Sequence, residues 1–286
     1  MTPRSPAMLA PGRAHDGSAP RPPAPAGPYR ADQIRSGEPY ELRNGHKVLC
    51  TTGRRGGAAN LVGGQVLETD PAVKSAGVDV GWSKDPKHLR APDVSVGDFA
   101  NEPGWDPNAP PLAVEYADTG QDEAELKLKI AEMLDAGTKH VWVVRLTGPR
   151  RVEVHEKGCK MRLAKPGEDL VAPGILQNPV PVVALYDRDA AHEATLRNLL
   201  QRRGYESLDA VRVEGRNEGK VEGQRHALFV LLAARRLALS EAQRARIDET
   251  EDIALLDIWI VQAATATTAE AALTLKPVRG RKPRGR

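Results

Sequence analysis

Short apolar runs of strand length dominate the first half of the chain. Most of them are rich in β-branched residues, which is typical of strands. They cover residues 77–81, 92–96, 112–117, 140–146 and 151–156. The last two runs are joined through Thr147-Gly148-Pro149-Arg150, a turn-forming sequence that predicts an antiparallel pair.

Two further patterns precede these runs. Alternation of apolar and polar residues over 39–52, interrupted at Asn44-Gly45, predicts a β-hairpin with a tight turn. Residues 57–68 carry apolar positions suited to a short helix, although Gly63-Gly64 in its middle disfavours helix by about 1 kcal/mol for each glycine relative to alanine.

A helix is predicted between the third and fourth apolar runs. Over Asp122–Ala136, Leu126, Ile130, Met133 and Leu134 recur at helical spacing, and Gly137 provides a stop signal. A strand, helix, strand order implies a crossover packed on a sheet. The fold class predicted is therefore α/β, with a mixed sheet flanked by helices.

After a stretch rich in proline and glycine, the pattern becomes helical. Helices are predicted over 189–203, 221–237 and 240–263, the third with Ser240 as its N-cap. Residues 212–225 are polar, with Gly215, Gly219 and Gly223 spaced by four. The predicted division of the chain is a disordered segment over 1–30, an α/β domain over 31–187, a helical accessory region over 188–270 and a basic disordered tail over 271–286.

Charge and cysteine content narrow the class of protein. The net charge is +3, but six basic residues lie in the last eleven positions, and without them the net charge is −3. Cys50 and Cys159 lack the close spacing of a zinc site, so a reduced thiol pair is expected. The sequence has neither an apolar run long enough to span a membrane nor a secretory signal. These features predict a cytoplasmic protein with no membrane partner.

Three residues carry the candidate chemistry. Asp93 and Glu115 each lie in an apolar run with strand character, where a buried carboxylate is costly unless it is paired or bound to a cation. Lys129 lies on the helix that follows. Two carboxylates on neighbouring strands suit Mg²⁺ or Mn²⁺, and a nearby lysine can stabilise charge on a phosphate. The set predicts a catalytic site for phosphodiester hydrolysis, with Asp93 and Glu115 as metal ligands.

The same residues resemble the putative restriction endonuclease family of the PD-(D/E)XK nuclease superfamily. Pro92-Asp93-Val94 is similar to its Pro-Asp strand, and Pro110–Tyr116 to its central strand with the second acid. Ala136–Val144 is similar to the turn and strand that follow its helical lysine, and Tyr40–Gly45 to its opening hairpin. The resemblance covers about residues 31–160. It implies a restriction-endonuclease-like fold, magnesium dependence and DNA as substrate.

The chain departs from the superfamily pattern after the second acid. Ala117 takes the place of the lysine in a Glu-x-Lys strand, so the resemblance assigns that role to Lys129 on the helix. Helical geometry alone does not separate Lys127 from Lys129, because both flank the apolar stripe. Glu41 and Glu68 could each supply a further site acid, but the interpretation favoured for both is a surface charge.

The C-terminal residues suggest contact with nucleic acid. The sequence around Arg279, Arg281, Lys282, Arg284 and Arg286 resembles an AT-hook, whose arginine lies in the narrow minor groove of A·T-rich DNA. A basic tail with general phosphate affinity is an equal alternative. The role of the helical region stays open between packing and homodimerisation.

The function predicted is a metal-dependent endonuclease acting on DNA. The alternatives are a catalytically inactive nucleic-acid-binding or transposon-associated protein, and a metal-binding or interaction module without nucleic acid.

Overall fold

The computed structural model describes residues 27–274. Its strands are β1 (Tyr40–Arg43), β2 (His46–Leu49), β3 (Ser75–Val78), β4 (Trp82–Asp85), β5 (His88–Arg90), β6 (Val94–Gly97), β7 (Leu112–Ala117), β8 (His140–Arg145), β9 (Arg151–Glu156), β10 (Arg162–Ala164), β11 (Asp169–Leu170) and β12 (Val180–Pro181). Its helices are α1 (Arg54–Glu68), α2 (Glu123–Ala136), α3 (Arg188–Arg202), α4 (Leu208–Ala234), α5 (Glu241–Asp248), α6 (Ile253–Ala263) and α7 (Ala269–Ala272).

The central sheet has six strands in the order β10-β9-β8-β7-β6-β3. Strands β7 and β8 are parallel and are joined by α2, while the other neighbouring pairs are antiparallel. This is the mixed sheet with a crossover helix that the sequence predicts, and β8 and β9 form the predicted antiparallel pair. A smaller sheet, in the order β2-β1-β5-β4, contains the hairpin predicted around Asn44-Gly45.

Helices cover both faces of the six-stranded sheet. On one face, Leu112, Val114 and Tyr116 of β7 join a large apolar core with α1 and α3. On the other face, Ala113 and Ala117 of the same strand pack against α2. Because side chains alternate along a strand, Glu115 lies on the α2 face.

Helix α1 forms despite its central glycines, and packing against the sheet explains one of them. A Cβ on Gly63 would lie 2.0 Å from Tyr116 Oη, and that hydroxyl donates to the Leu185 carbonyl oxygen at 2.8 Å. Only glycine therefore allows α1 to approach β7 this closely.

Several element boundaries differ from the sequence prediction. The run over 77–81 begins earlier and ends at Val78, because Asp79 has a φ of 53°. The predicted helix over 240–263 is two helices, because Asp252 caps a new one by accepting from the N–H groups of Ala254 and Leu255. Ser240 is an N-cap, as predicted. Helix α4 runs through the polar, glycine-containing stretch that was not predicted as helix.

Contacts of α3 bear on the limits of the α/β domain. Ala191 and Ala194 of α3 belong to the core that α1 and the sheet share, and Arg202 donates to the carbonyl oxygens of Thr69 and Val73 at 2.9 Å. We therefore propose that the domain ends after α3, not at residue 187. At the other end, the Tyr29 N–H donates to Gly45 O at 2.7 Å, and we propose that the domain includes residues 27–30. The rest of the segment predicted as disordered, residues 1–26, lies outside the described residues, as does the tail from 275 onward.

A second apolar core lies in the helical region. It joins Leu228 and Leu232 of α4 to Leu256, Trp259 and Ala263 of α6, together with residues of α5 and α7. None of the helices within residues 27–274 is both long enough and apolar enough to cross a membrane.

Candidate active site

Strand register places Asp93 opposite Glu115. Val94 of β6 pairs with Val114 of the antiparallel strand β7, so the preceding residue Asp93 lies across from Glu115 at the end of the ladder. Directly opposed residues on one face have Cβ atoms about 4.5–5.5 Å apart. The Tyr116 N–H donates to Asp93 Oδ2 at 2.6 Å, which fixes the Asp93 carboxylate against the neighbouring strand.

Lys129 reaches the same place from α2. Its Nζ lies 2.7 Å from Glu115 Oε1 and 2.8 Å from Glu41 Oε1, and it donates to the Ala91 carbonyl oxygen at 3.2 Å. Lys129 is buried, whereas Lys127 is exposed. The structure therefore brings together Asp93, Glu115 and Lys129, and it separates the two lysines that helical periodicity could not.

Glu41 is a buried member of this cluster, so its interpretation as a surface charge is wrong. Glu41 is only 2% exposed, which is comparable to the residues of the apolar core. Its Oε1 accepts from the Ala91 N–H at 2.9 Å, and its Oε2 accepts from Arg90 Nη1 at 2.8 Å. Alternation within β1, where Leu42 enters the small apolar core, is the sequence signal that puts Glu41 on the opposite side. Glu68 is exposed, as interpreted.

Arg90 is the residue that sequence reasoning missed, since the short strand β5 was not predicted. Its guanidinium is buried and bridges three carboxylates. It lies 2.8 Å from Glu41, 2.9 Å from Glu125 and 2.6 Å from Glu132. Because Glu125 and Glu132 belong to α2, Arg90 ties the small sheet to the helix that carries Lys129.

Asn60 of α1 holds Asp93 from the other side. Its Nδ2 donates to Asp93 Oδ1 at 3.2 Å, and Asn60 is buried. Directly after β7, Asp118 forms an ion pair with Arg55, and the hydrogen bonds from Arg55 lower the pKa of that carboxyl to about 2. Asp118 therefore pairs with an arginine outside the Asp93 cluster.

Negative charge exceeds positive charge in this buried cluster. With all groups ionised, the carboxylates outnumber the cations by two. The carboxylates are Glu41, Asp93, Glu115, Glu125 and Glu132, and the cations are Arg43, Arg90 and Lys129. Burial raises the pKa of Glu115 to about 8, and the nearby carboxylates of Asp93 and Glu41 act in the same direction. Burial likewise raises the pKa of Asp93.

Lys129 and Glu41 both stay charged in this cluster. Burial alone would lower the pKa of Lys129, but Glu115, Glu41 and Asp93 outweigh it and hold that pKa well above its usual value. Burial alone would raise the pKa of Glu41, but Lys129 and Arg90 together hold it below its ordinary value. Lys129 is thus a fixed cation, and Glu41 is its fixed counterion.

The donor set fits a divalent ion that retains water ligands. Within residues 27–274, no three carboxylate, imidazole or thiol side chains are placed to enclose an ion. Two facing carboxylates are present, and Mg²⁺ is typically held by one or two carboxylates with several waters. In the same part of the chain, Asn60 Oδ1 is buried without a hydrogen-bond donor, so this oxygen is available to a cation or to its waters, whereas Glu115 Oε1 is paired with the Lys129 ammonium.

The fold is that of an α/β protein with a mixed six-stranded sheet flanked by helices. A family model described as "Putative restriction endonuclease" matches residues 30–181, which is more than half of the chain, and the chain belongs to that family.

A solved structure from Anabaena variabilis, described as a "putative nuclease", is similar to this chain with a TM-score of 0.45 and 14% identity. The match covers 56% of this chain and 96% of the other. A search of curated proteins finds no match.

Proposed function

We propose that this protein is a divalent-metal-dependent endonuclease that hydrolyses phosphodiester bonds in DNA. The observation that carries the proposal is the convergence of Asp93, Glu115 and Lys129 in one buried site with an excess of carboxylates. Membership of the family supports nuclease chemistry. The choice of DNA as substrate and of Mg²⁺ or Mn²⁺ as the ion belongs to the proposal.

Asp93 and Glu115 are the residues that would hold the ion. When bound, such an ion lowers the pKa of a coordinated water and offsets charge on the phosphate. Asp93 is prepared for this role because Tyr116 N–H and Asn60 Nδ2 hold one oxygen each, which leaves the remaining lone pairs free.

Lys129 acts as a cation and not as a base, because its raised pKa keeps the ammonium protonated near neutral pH. An ammonium held between Glu115 and Glu41 can donate to a phosphate oxygen or to the attacking water. Such a preorganised donor stabilises charge that develops in the transition state. Glu41 and Arg90 keep the lysine in place and do not contact the reacting atoms in this proposal.

Calorimetric titration with Mn²⁺ tests the site. We expect Asp93→Ala and Glu115→Ala to lose Mn²⁺ binding and plasmid nicking, because one carboxylate is too few for a hydrated ion. Glu68→Ala, which removes an exposed acid from α1, is the matched control and should bind as the wild type does. Wild-type affinity in either site variant would exclude these residues as ligands. Mn²⁺ binding without nicking by the wild type would favour the catalytically inactive DNA-binding alternative.

Arg279, Arg281, Lys282, Arg284 and Arg286 lie outside the described residues. Their proposed role, in affinity for the DNA backbone or minor groove, stays a prediction from sequence.

A further inference from the structure

The first half of α4 is a helix without a packed side. In the whole of α4 only Leu228 and Leu232 are buried, and the residues that join the apolar core of the helical region begin at Val221. Residues 212–220 are all exposed, Val213 to 54%. Isolated helices shorter than about 12–15 residues are marginal in water.

Three rows of residues with a spacing of four run along this exposed half. The acidic row is Glu214, Glu218 and Glu222; the glycine row is Gly215, Gly219 and Gly223; the basic row is Arg212, Arg216 and Lys220. At 100° per residue the glycine row lies between the two charged rows. A Cβ built on any of the three glycines meets nothing within 4 Å, so the face is open.

This arrangement is unfavourable for a helix that stands alone. Like charges four residues apart repel each other within each charged row, and each glycine costs about 1 kcal/mol relative to alanine. Arg212 has a partner within the helix, Asp209 at 3.0 Å, but both are largely exposed and such pairs contribute little. A partner that carries both charges in complementary positions would relieve the repulsion in both rows.

We propose that this face of α4, residues 212–223, is the contact through which two copies of the chain pair in parallel. A second copy is the occupant that charge complementarity favours, because each copy carries one acidic and one basic row. In a parallel pair related by a two-fold axis along the helices, the basic row of each copy faces the acidic row of the other. In an antiparallel pair, like rows would meet. Small residues in the contact row allow the two backbones to approach closely.

Charge reversal on the full-length protein tests this pairing. Sedimentation equilibrium of the wild type should show a dimer that weakens with added salt. The variant Glu214→Lys/Glu218→Lys/Glu222→Lys should raise the dimer dissociation constant by roughly tenfold or more, because like charges would then face each other. The opposite variant, Arg212→Glu/Arg216→Glu/Lys220→Glu, should behave in the same way.

The mixture of the two triple variants decides between a specific contact and general destabilisation. Together they should form a heterodimer, since one supplies two basic rows and the other two acidic rows. The control Glu241→Lys/Glu249→Lys/Glu251→Lys makes the same charge change at exposed positions outside α4 and should dimerise as the wild type does. A monomeric wild type, or triple variants that dimerise alone as well as they do together, would overturn the proposal.

The relative orientation of the two α4 helices is measured as the distance between spin labels. One label is attached to each copy through Leu208→Cys, in a background without Cys50 and Cys159. A parallel pair brings the two labels close together at the same end of the contact. An antiparallel pair centred on residues 212–223 separates them by about 19 residues along the axis, roughly 28 Å at 1.5 Å per residue, and that result would contradict the parallel arrangement.

Discussion

The two faces of the central sheet are built from the same strands and differ in what they bury. On the face covered by α1 and α3, β7 and β8 contribute Leu112, Val114, Tyr116, Trp142 and Val144 to an apolar core. On the face covered by α2, a second apolar cluster lies beside a charged cluster centred on Glu115 and Lys129.

The first face accounts for stability, since buried apolar area is the main favourable term in folding. The second buries charge that contributes little to stability and that we propose for catalysis. Alternate residues of β7 therefore face the apolar core on one side of the sheet and the proposed catalytic cluster on the other.

The largest effect on stability is expected on the apolar face. Trp142 is fully buried, and replacing a buried tryptophan by alanine leaves a cavity and costs about 3–5 kcal/mol. We expect Trp142→Ala to lower the free energy of unfolding by this amount in urea titration, while Mn²⁺ binding persists in the folded fraction. Loss of Mn²⁺ binding by a variant that remains folded would show that the two faces are not independent.

The next effect is expected in the cleavage rate, when Lys129 is removed from the charged face. Lys129→Ala should lower the cleavage rate by roughly 10²–10³-fold, the usual loss for one preorganised donor, with little change in Mn²⁺ affinity. Lys127→Ala removes an exposed lysine from the same helix and should leave the rate close to that of the wild type. Single-turnover rates at saturating Mn²⁺ make the comparison, and equal losses in the two variants would remove the basis for assigning Lys129.

A third comparison concerns the pH dependence of stability of the wild type and of the amide variant Glu115→Gln. The pKa of Glu115 is about 8 in the folded protein because burial raises it from 4.5. Between these two values the unfolded chain has released the proton and the folded protein retains it, so metal-free wild-type stability falls as pH rises.

Glu115→Gln lacks this titration. The free energy of unfolding of the wild type, relative to Glu115→Gln, should therefore decrease from about pH 4.5 to pH 8 and become constant above it. Urea titrations of both proteins without metal, at several pH values, measure the difference. A difference that does not change with pH would mean that Glu115 titrates normally.

The helical periodicity around Leu126, Ile130 and Met133 determined α2, and the apolar runs on either side of it determined β7 and β8. These signals are local, because strand and helix periods are written in consecutive residues. Membership of a nuclease-like family followed from local motifs as well, since Pro92-Asp93 and Glu115 each lie in a short recognisable segment.

Tertiary structure decided which charges are buried. Alternation in β1 puts Glu41 on the side opposite Leu42, but only the packing of the small sheet against α2 pairs it with Lys129, whereas Glu68 is exposed. The same packing selects Lys129 over Lys127 and brings Arg90 into the cluster from a strand too short to predict. These contacts join residues 35 to 88 positions apart along the chain, and no local period encodes such a distance.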